Sequence, residues 1–182
     1  NTDAVQRLYI QHGISHFYPS NIMAAHVSAS PNHQTGRVVP LKFRFDVAMT
    51  GRLGMEMKPS DFTDKEKEFA KNAIETYKQI RPVIQQGDLY RLTSPYEKRP
   101  YVSLMYNTPE KDRAVFFLFR RHFIKDEWET PHKMAGLDPN RKYMIREINV
   151  ENPKRKVAID GKVVSGRFLM ENGIYLTLNR DL

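Results

Sequence analysis

The sequence predicts an α/β unit of parallel strands over residues 1–88, followed by an all-β unit, an antiparallel sandwich, over residues 89–182. Three observations carry this reading. Short apolar runs at Ile22–Val27 and Leu53–Met57 are separated by a polar loop and a second patterned stretch, as in parallel sheets whose strands are buried on both faces. Helical periodicity is pronounced between Thr63 and Ile80. Beyond residue 88 the pattern changes, and short aromatic and β-branched runs recur at close spacing between turn signals.

In chain order, Asn1-Thr2-Asp3 opens a first helix, with Thr2 as cap, Asp3 complementing the dipole, Val5, Leu8, Tyr9 and His12 on one face, and Gly13 as its end. Pro19-Ser20-Asn21 punctuates before the first strand, and residues 28–40 form a loop rich in Ser, Pro, Asn, His, Gln and Gly. Leu41–Met49 fits both alternation and helical spacing; a short helix is favoured, because parallel neighbours need a crossover. Thr63 and Glu66 form a capping box, Phe69, Ala73, Tyr77 and Ile80 mark one face, and Pro82 is expected to disrupt the helix or start a second turn before the break at Gly87-Asp88. Tyr101–Tyr106 and Ala114–Phe119 read as a hairpin around Asn107–Arg113. Tyr143–Ile148, a hairpin of Val157–Ile159 with Lys162–Val164 about Asp160-Gly161, and Ile174–Leu178 complete the expected strands.

Composition excludes several classes. With 182 residues, 40% hydrophobic and 27% charged, the chain can bury a core. No apolar run approaches the roughly 18 residues of a membrane span, so no membrane partner is expected. Cysteine is absent, which excludes disulfides and thiolate metal sites and suits a reducing compartment, cytoplasmic rather than secreted. The net charge of +8 raises the question of nucleic acid, but the one dense basic run, Lys154-Arg155-Lys156, lacks interleaved aromatics and reads as a solvated turn. No nucleic-acid partner and no cofactor are expected. The chain opens on Asn1 rather than Met, so upstream sequence is expected.

For chemistry, the loop Ser28–Arg37 comes first, since function in parallel α/β folds lies in loops after strands. His26 and His33 lie near Asn32, Gln34 and Asp46, but their spacing matches no metal signature, and structural histidines account for them as well. Pro31-Asn32-His33-Gln34 offers neutral donors and acceptors suited to sugar hydroxyls; the same residues also make turns. Gly51-Arg52-Leu53-Gly54 is too short for a phosphate loop, and its glycines fit close backbone packing. Trp128, with Phe123 and His132, could stack on a sugar ring or cover core. A carboxylate pair could be drawn from Asp3, Asp46, Glu56 and Asp61, yet no spacing selects one.

The stretches NTDAVQRLYIQHGISHFYP, MAAHVSASPNHQTGR, PLKFRFDVAMTGRLGMEM, AKNAIETYKQIRPVIQQGDLYRL, AGLDPNRKYMIREIN and DGKVVSGRFLM, in that order, resemble the C-terminal part of the α-galactosidases of glycoside hydrolase family 36. The resemblance implies the last units of a (β/α)8 barrel over residues 1–88 and a C-terminal antiparallel β-sandwich domain over 89–182. It implies a parent enzyme that removes terminal α-1,6-galactosyl groups from melibiose and raffinose-type oligosaccharides with retention, using two aspartates. In the family the acid/base lies in a Ser-Asp-Asn-Thr-Asp pattern, of which this chain carries Asn1-Thr2-Asp3, so the acid/base would immediately precede Asn1 and the nucleophile would lie further upstream.

No catalytic residue is therefore expected in this chain, and the fragment alone is expected to be inactive. Asn1 and Asp3 match the motif beside the acid/base, Asp3 in a supporting or helix-capping role. His26, Asn32, His33 and Arg52 fall in stretches resembling the last barrel strands and loops and are the expected site-lining residues. The expected partner is an α-galactoside oligosaccharide. A partial barrel leaves strand edges and helix faces uncovered, so the chain is expected to be a piece of a larger protein or a homo-oligomer. The alternative is a non-catalytic carbohydrate-binding or assembly module.

Overall fold

Asp3 begins the first helix by accepting hydrogen bonds from the amides of Val5 and Gln6 at 2.8 and 3.1 Å, which satisfies donors that the first turn leaves free. The cap is thus Asp3, not Thr2, whose side chain accepts instead from Asn32. The computed structural model describes residues 2–122, 130–151 and 157–176; Asn1, Phe123, Trp128, Lys154-Arg155-Lys156 and the end of the expected last strand lie outside them.

The helix, α1 (Ala4–Ile14), is followed by β1 (Ala24–Ser28), α2 (Leu41–Ala48) and β2 (Arg52–Glu56). β1 and β2 pair in parallel, Ala24 opposite Arg52 through Ser28 opposite Glu56, with α2 as the crossover. The ambiguous Leu41–Met49 stretch is therefore helical, and Phe45 and Met49 are almost wholly buried one turn apart. Gln11 is buried although polar, because its amide donates to the Val47 carbonyl at 3.0 Å and to Thr50.

A 3-10 turn at Pro59–Asp61 leads to α3 (Asp64–Gln86), where the Thr63–Glu66 capping box is present in full. Ala73, Tyr77 and Ile80 form its buried face. Pro82 does not end the helix as expected. Val83 and Ile84, 1% and 0% exposed, anchor the last turn and offset the roughly 3 kcal/mol that an interior proline costs.

The second half contains β3 (Asp88–Thr93), β4 (Tyr101–Asn107) and β5 (Ala114–Arg120) in one antiparallel sheet with β4 central. β3 was not expected. Both faces of this sheet are covered: Val102, Tyr106, Val115, Phe117 and Phe119 join the cluster that contains α3, Phe45 and Val27, while Met105 packs with Leu137, Tyr143, Leu169 and Ile174. One core therefore runs from α1 to β5.

The expected Val157–Ile159 hairpin is a different pairing. β6 (Lys142–Met144), shorter than the expected Tyr143–Ile148, pairs with β7 (Val163–Ser165), whereas Val157 bridges Leu176. The Asp160-Gly161 turn exists, with Gly161 at φ +76°, but it docks on residues 145–147: the Gly161 amide donates to the Ile145 carbonyl at 2.8 Å and the Asp160 carboxylate accepts from the Glu147 amide at 2.6 Å. A short helix, α4 (Gly166–Glu171), capped by Ser165, also went unforeseen. Of the expected last strand, Ile174 and Leu176 form isolated bridges among the described residues.

Candidate functional site

In a parallel strand pair the loops that follow the strands lie together at one end, and here that end is formed by Ser28, the 29–40 loop, Glu56 and the start of α1. The loop is held at three places. Asn32, 4% exposed, makes an Asx turn in which its Oδ1 accepts from the Gln34 and Thr35 amides at 3.0 and 3.1 Å, and Gly36 takes the left-handed conformation at φ +66° that closes the turn back on the Asn32 carbonyl. The Asn32 Nδ2 then reaches across to the Thr2 hydroxyl at 2.8 Å.

The second anchor is Asp3. Its carboxylate, 1% exposed, receives the Arg37 Nη1 at 2.7 Å on both oxygens and the Thr35 hydroxyl on Oδ2, in addition to the two helix amides. Burial pushes this carboxyl up, but the Thr35 hydroxyl, the Gln6 amide and the Arg37 guanidinium outweigh it and hold it below its ordinary value. One side chain thus starts α1 and secures the loop.

The third anchor comes from below. Arg44 on α2 is 8% exposed, and its guanidinium donates to the Ser28 carbonyl at 2.6 Å and the Val39 carbonyl at 3.2 Å, the two ends of the loop. Burial pulls its ionisation below the ordinary arginine value, with the Glu66 carboxylate opposing. Because its donors end on carbonyls rather than on a carboxylate, the residue acts as a clamp on backbone geometry.

Side chains alternate along β1 and β2. Ala25 and Val27 are fully buried, whereas Ala24 and His26 are exposed on the opposite face together with Arg52 and Glu56. His26 lies opposite Gly54, where a Cβ would come within 2.6 Å of the His26 Cδ2, so the glycine makes room for the ring. Arg7 from α1 donates to the Ala24 carbonyl at 2.5 Å; burial lowers its ionisation and Glu56 opposes that shift. The result is an exposed polar wall of imidazole, guanidinium and carboxylate groups beside an anchored loop of neutral donors and acceptors.

Of the residues singled out in the sequence, Asp3 and Asn32 are joined by the network through Thr2, Thr35 and Arg37, and His26 and Arg52 share the exposed strand face. His33 is exposed at the loop tip beside Asn32. Thr35, Arg37 and Arg44 were missed. The Asn-x-x-Thr spacing at Asn32 signals the Asx turn, and a lone arginine between Phe43 and Phe45 on an apolar helix signals a buried clamp. The arrangement can hydrogen-bond hydroxyl-rich ligands. Among the described residues no group of three or more His, Cys, Asp or Glu side chains is placed to hold a metal ion. His132, read from the sequence as able to stack on a sugar ring or to cover core, packs edge-on against Tyr101 at 4.8 Å.

Comparison with known proteins places the chain. The Melibiase family profile matches residues 1–87, and that of the glycosyl hydrolase family 36 C-terminal domain matches residues 101–182. The chain is 41% identical to alpha-galactosidase AgaA of Geobacillus stearothermophilus over 82% of its own length and 20% of that protein. It is 37% identical to alpha-galactosidase 1 of Pediococcus pentosaceus over 96% of its length and 22% of the relative. It superposes on the galactosidase domain of the alpha-galactosidase-sucrose kinase AgaSK with a TM-score of 0.87 at 34% identity, covering 100% of this chain and 23% of that one. A variant of the Geobacillus AgaA in complex with raffinose gives a TM-score of 0.86 at 35% identity, with 100% of this chain and 23% of that chain covered. The chain spans about a fifth of the length of the relatives it matches.

Proposed function

This chain belongs to glycoside hydrolase family 36, and we propose that it is the C-terminal portion of a retaining α-galactosidase, carrying the last units of a (β/α)8 barrel in residues 1–88 and a β-sandwich domain in residues 89–182. The proposed substrates of the parent are terminal α-1,6-galactosides of the melibiose and raffinose type; raffinose is bound by the related AgaA variant. The barrel reading is supported by the parallel β1–α2–β2 unit with α1 before it and α3 after it. It is supported too by the side of β2 that pairs with no strand among the described residues, and by an open groove of about 360 Å³ that Met55, Phe62, Ala70 and Ile74 line together with Lys67, Lys71 and Glu75 and that a neighbouring barrel unit would cover. In the β unit, the β6–β7 layer over Met105 is the proposed second sheet.

The observation that carries the proposal is the set of hydrogen bonds joining the β1–α2 loop to the start of α1. In a retaining mechanism one carboxylate attacks the anomeric carbon, while a second, about 5–5.5 Å away, protonates the leaving oxygen and then activates water. If the acid/base immediately precedes Asn1, as the resemblance implies, Thr2 and Asp3 are its next neighbours along the chain. Both are tied to the loop through Asn32, Thr35 and Arg37. That network limits the movement of the acid/base carboxylate relative to the sugar. His26 and Arg52 on the exposed strand face, with His33 on the loop, are the proposed site-lining groups, and none of them replaces the catalytic pair.

The test is hydrolysis of a chromogenic α-galactoside by the 182-residue chain and, in parallel, by the polypeptide extended upstream through a complete barrel. Activity in the extended protein alone is expected. Hydrolysis by the short chain would overturn the placement of the aspartates, and silence from both, with galactose still bound, would favour a non-catalytic carbohydrate-binding module.

A further inference from the structure

At the opposite end of α1 from the loop network, His12 and His16 turn their Nε2 atoms toward each other at 3.4 Å, and the Ser94 hydroxyl of the β3–β4 connection lies 3.3 Å from the same His12 nitrogen. In a tetrahedral zinc centre with Zn–N bonds of about 2.0–2.1 Å, the edge between two ligands is about 3.3–3.4 Å. The observed separations match that edge and also lie within hydrogen-bonding reach, so without a cation the same three groups share protons. We propose that His12 and His16 form a chelating site for a divalent transition-metal cation of the zinc class, its shell completed by water and the Ser94 hydroxyl.

The surroundings fit this role. Tyr96 packs edge-on against His12 with ring centroids 6.1 Å apart, and the two imidazoles meet at 5.1 Å. Burial, then the neighbouring His16 and Arg91, hold His12 below its ordinary value, while Glu97 opposes. Arg91 is engaged by the hydroxyl and carbonyl of Ser15, and the Glu97 carboxylate by the Ser94 amide and Arg99. The carbonyls of the last turn of α1, whose C-cap is Ser15, add the negative end of the helix dipole. Two imidazoles without a charged ligand make a site of modest affinity that ties the end of α1 to the connection between β3 and β4. Its role is to brace this junction, at the end of α1 opposite the one that meets the 29–40 loop.

The site is tested by titrating Co²⁺ into the chain at neutral pH and following the visible absorption that tetrahedral cobalt shows and the hexaaqua ion lacks, with Zn²⁺ as competitor. One equivalent is expected to bind and to be displaced by zinc. His16→Gln, at an exposed position, is expected to weaken binding at least tenfold without altering the circular dichroism spectrum, and His12→Gln to do the same. Zn²⁺ should raise the melting temperature of the wild type and leave both variants unchanged. Absence of a tetrahedral band in the wild type overturns the proposal. So does a band of unchanged affinity in His16→Gln, which would assign the cation to other histidines.

Discussion

Replacing Asp3 separates its two roles. In Asp3→Asn the side-chain oxygen still caps α1 through the Val5 and Gln6 amides, and Asn is as good a cap as Asp. Arg37 Nη1, which meets both carboxylate oxygens, loses its charged partner and one of those oxygens, and an amide donor then faces the guanidinium. A hydrogen bond to a charged group contributes about 1.5–3 kcal/mol. The Arg37 side chain is 42% exposed and recovers water when released, so the expected cost falls to about 1–2 kcal/mol. Asp3→Ala also removes the cap, which adds about 1 kcal/mol, and leaves Thr35 without its acceptor, for a total of about 2–4 kcal/mol. Urea unfolding followed by circular dichroism should therefore rank wild type above Asp3→Asn and Asp3→Ala lowest. The pH dependence has a definite sign. The folded carboxyl is held below its ordinary value, so its contribution is complete above the unfolded carboxylate range near about pH 4 and is lost as the pH falls below it. The wild type should consequently lose more stability between neutral and acid pH than Asp3→Asn does. An Asp3→Asn variant as stable as wild type, or two variants of equal stability, would refute the claim that one carboxylate both caps the helix and secures the loop.

Two further substitutions probe the seam between the halves. Tyr106→Phe removes the hydroxyl that donates to the Thr50 carbonyl at 2.7 Å within a side chain 1% exposed; a loss of about 1–2 kcal/mol in urea unfolding is expected, and unchanged stability would mean that water replaces the bond. Gly87→Ala would set a Cβ 2.4 Å from the Val83 carbonyl oxygen and 2.5 Å from that of Asn107. Both obstacles are backbone, so a cost of about 2–3 kcal/mol is expected, and a melting temperature equal to that of wild type would show that the α3–β3 junction opens freely.

What was legible in the sequence was what short-range physics decides. The Thr63–Glu66 box acts over one turn, and α3 begins where those residues place it. The periodicity of Phe69, Ala73, Tyr77 and Ile80 likewise depends only on its own helix, although Pro82 was overridden by the burial of Val83 and Ile84. Where partners are distant, local signals fail. Asp160-Gly161 is a sound turn, yet Val163 and Val164 pair with Met144 and Tyr143, because the turn itself is captured by Ile145 and Glu147. β3 was hidden for a related reason: Asp88 and Leu89 follow the helix stop at Gly87 and take strand form by pairing with Asn107 and Tyr106.

The loop after β1 shows the same division at the candidate site. Asn32 was visible because its turn is built from its own neighbours, and Asp3 because it stands at a helix start. Arg37 and Arg44 were not, since their acceptors lie far along the chain, on Asp3 for one and on Ser28 for the other. Yet these two arginines do different work. Arg37 is half exposed and meets a carboxylate, so it can release and re-form with solvent help. Arg44 is buried against carbonyls at both loop ends, which the Val39 amide to Ser30 hydroxyl bond also joins, and loss of its donors would leave the Ser28 carbonyl buried without that partner. The loop therefore has a base fixed by Arg44 and a turn fixed by Asn32, with His33 exposed at the tip between its anchors.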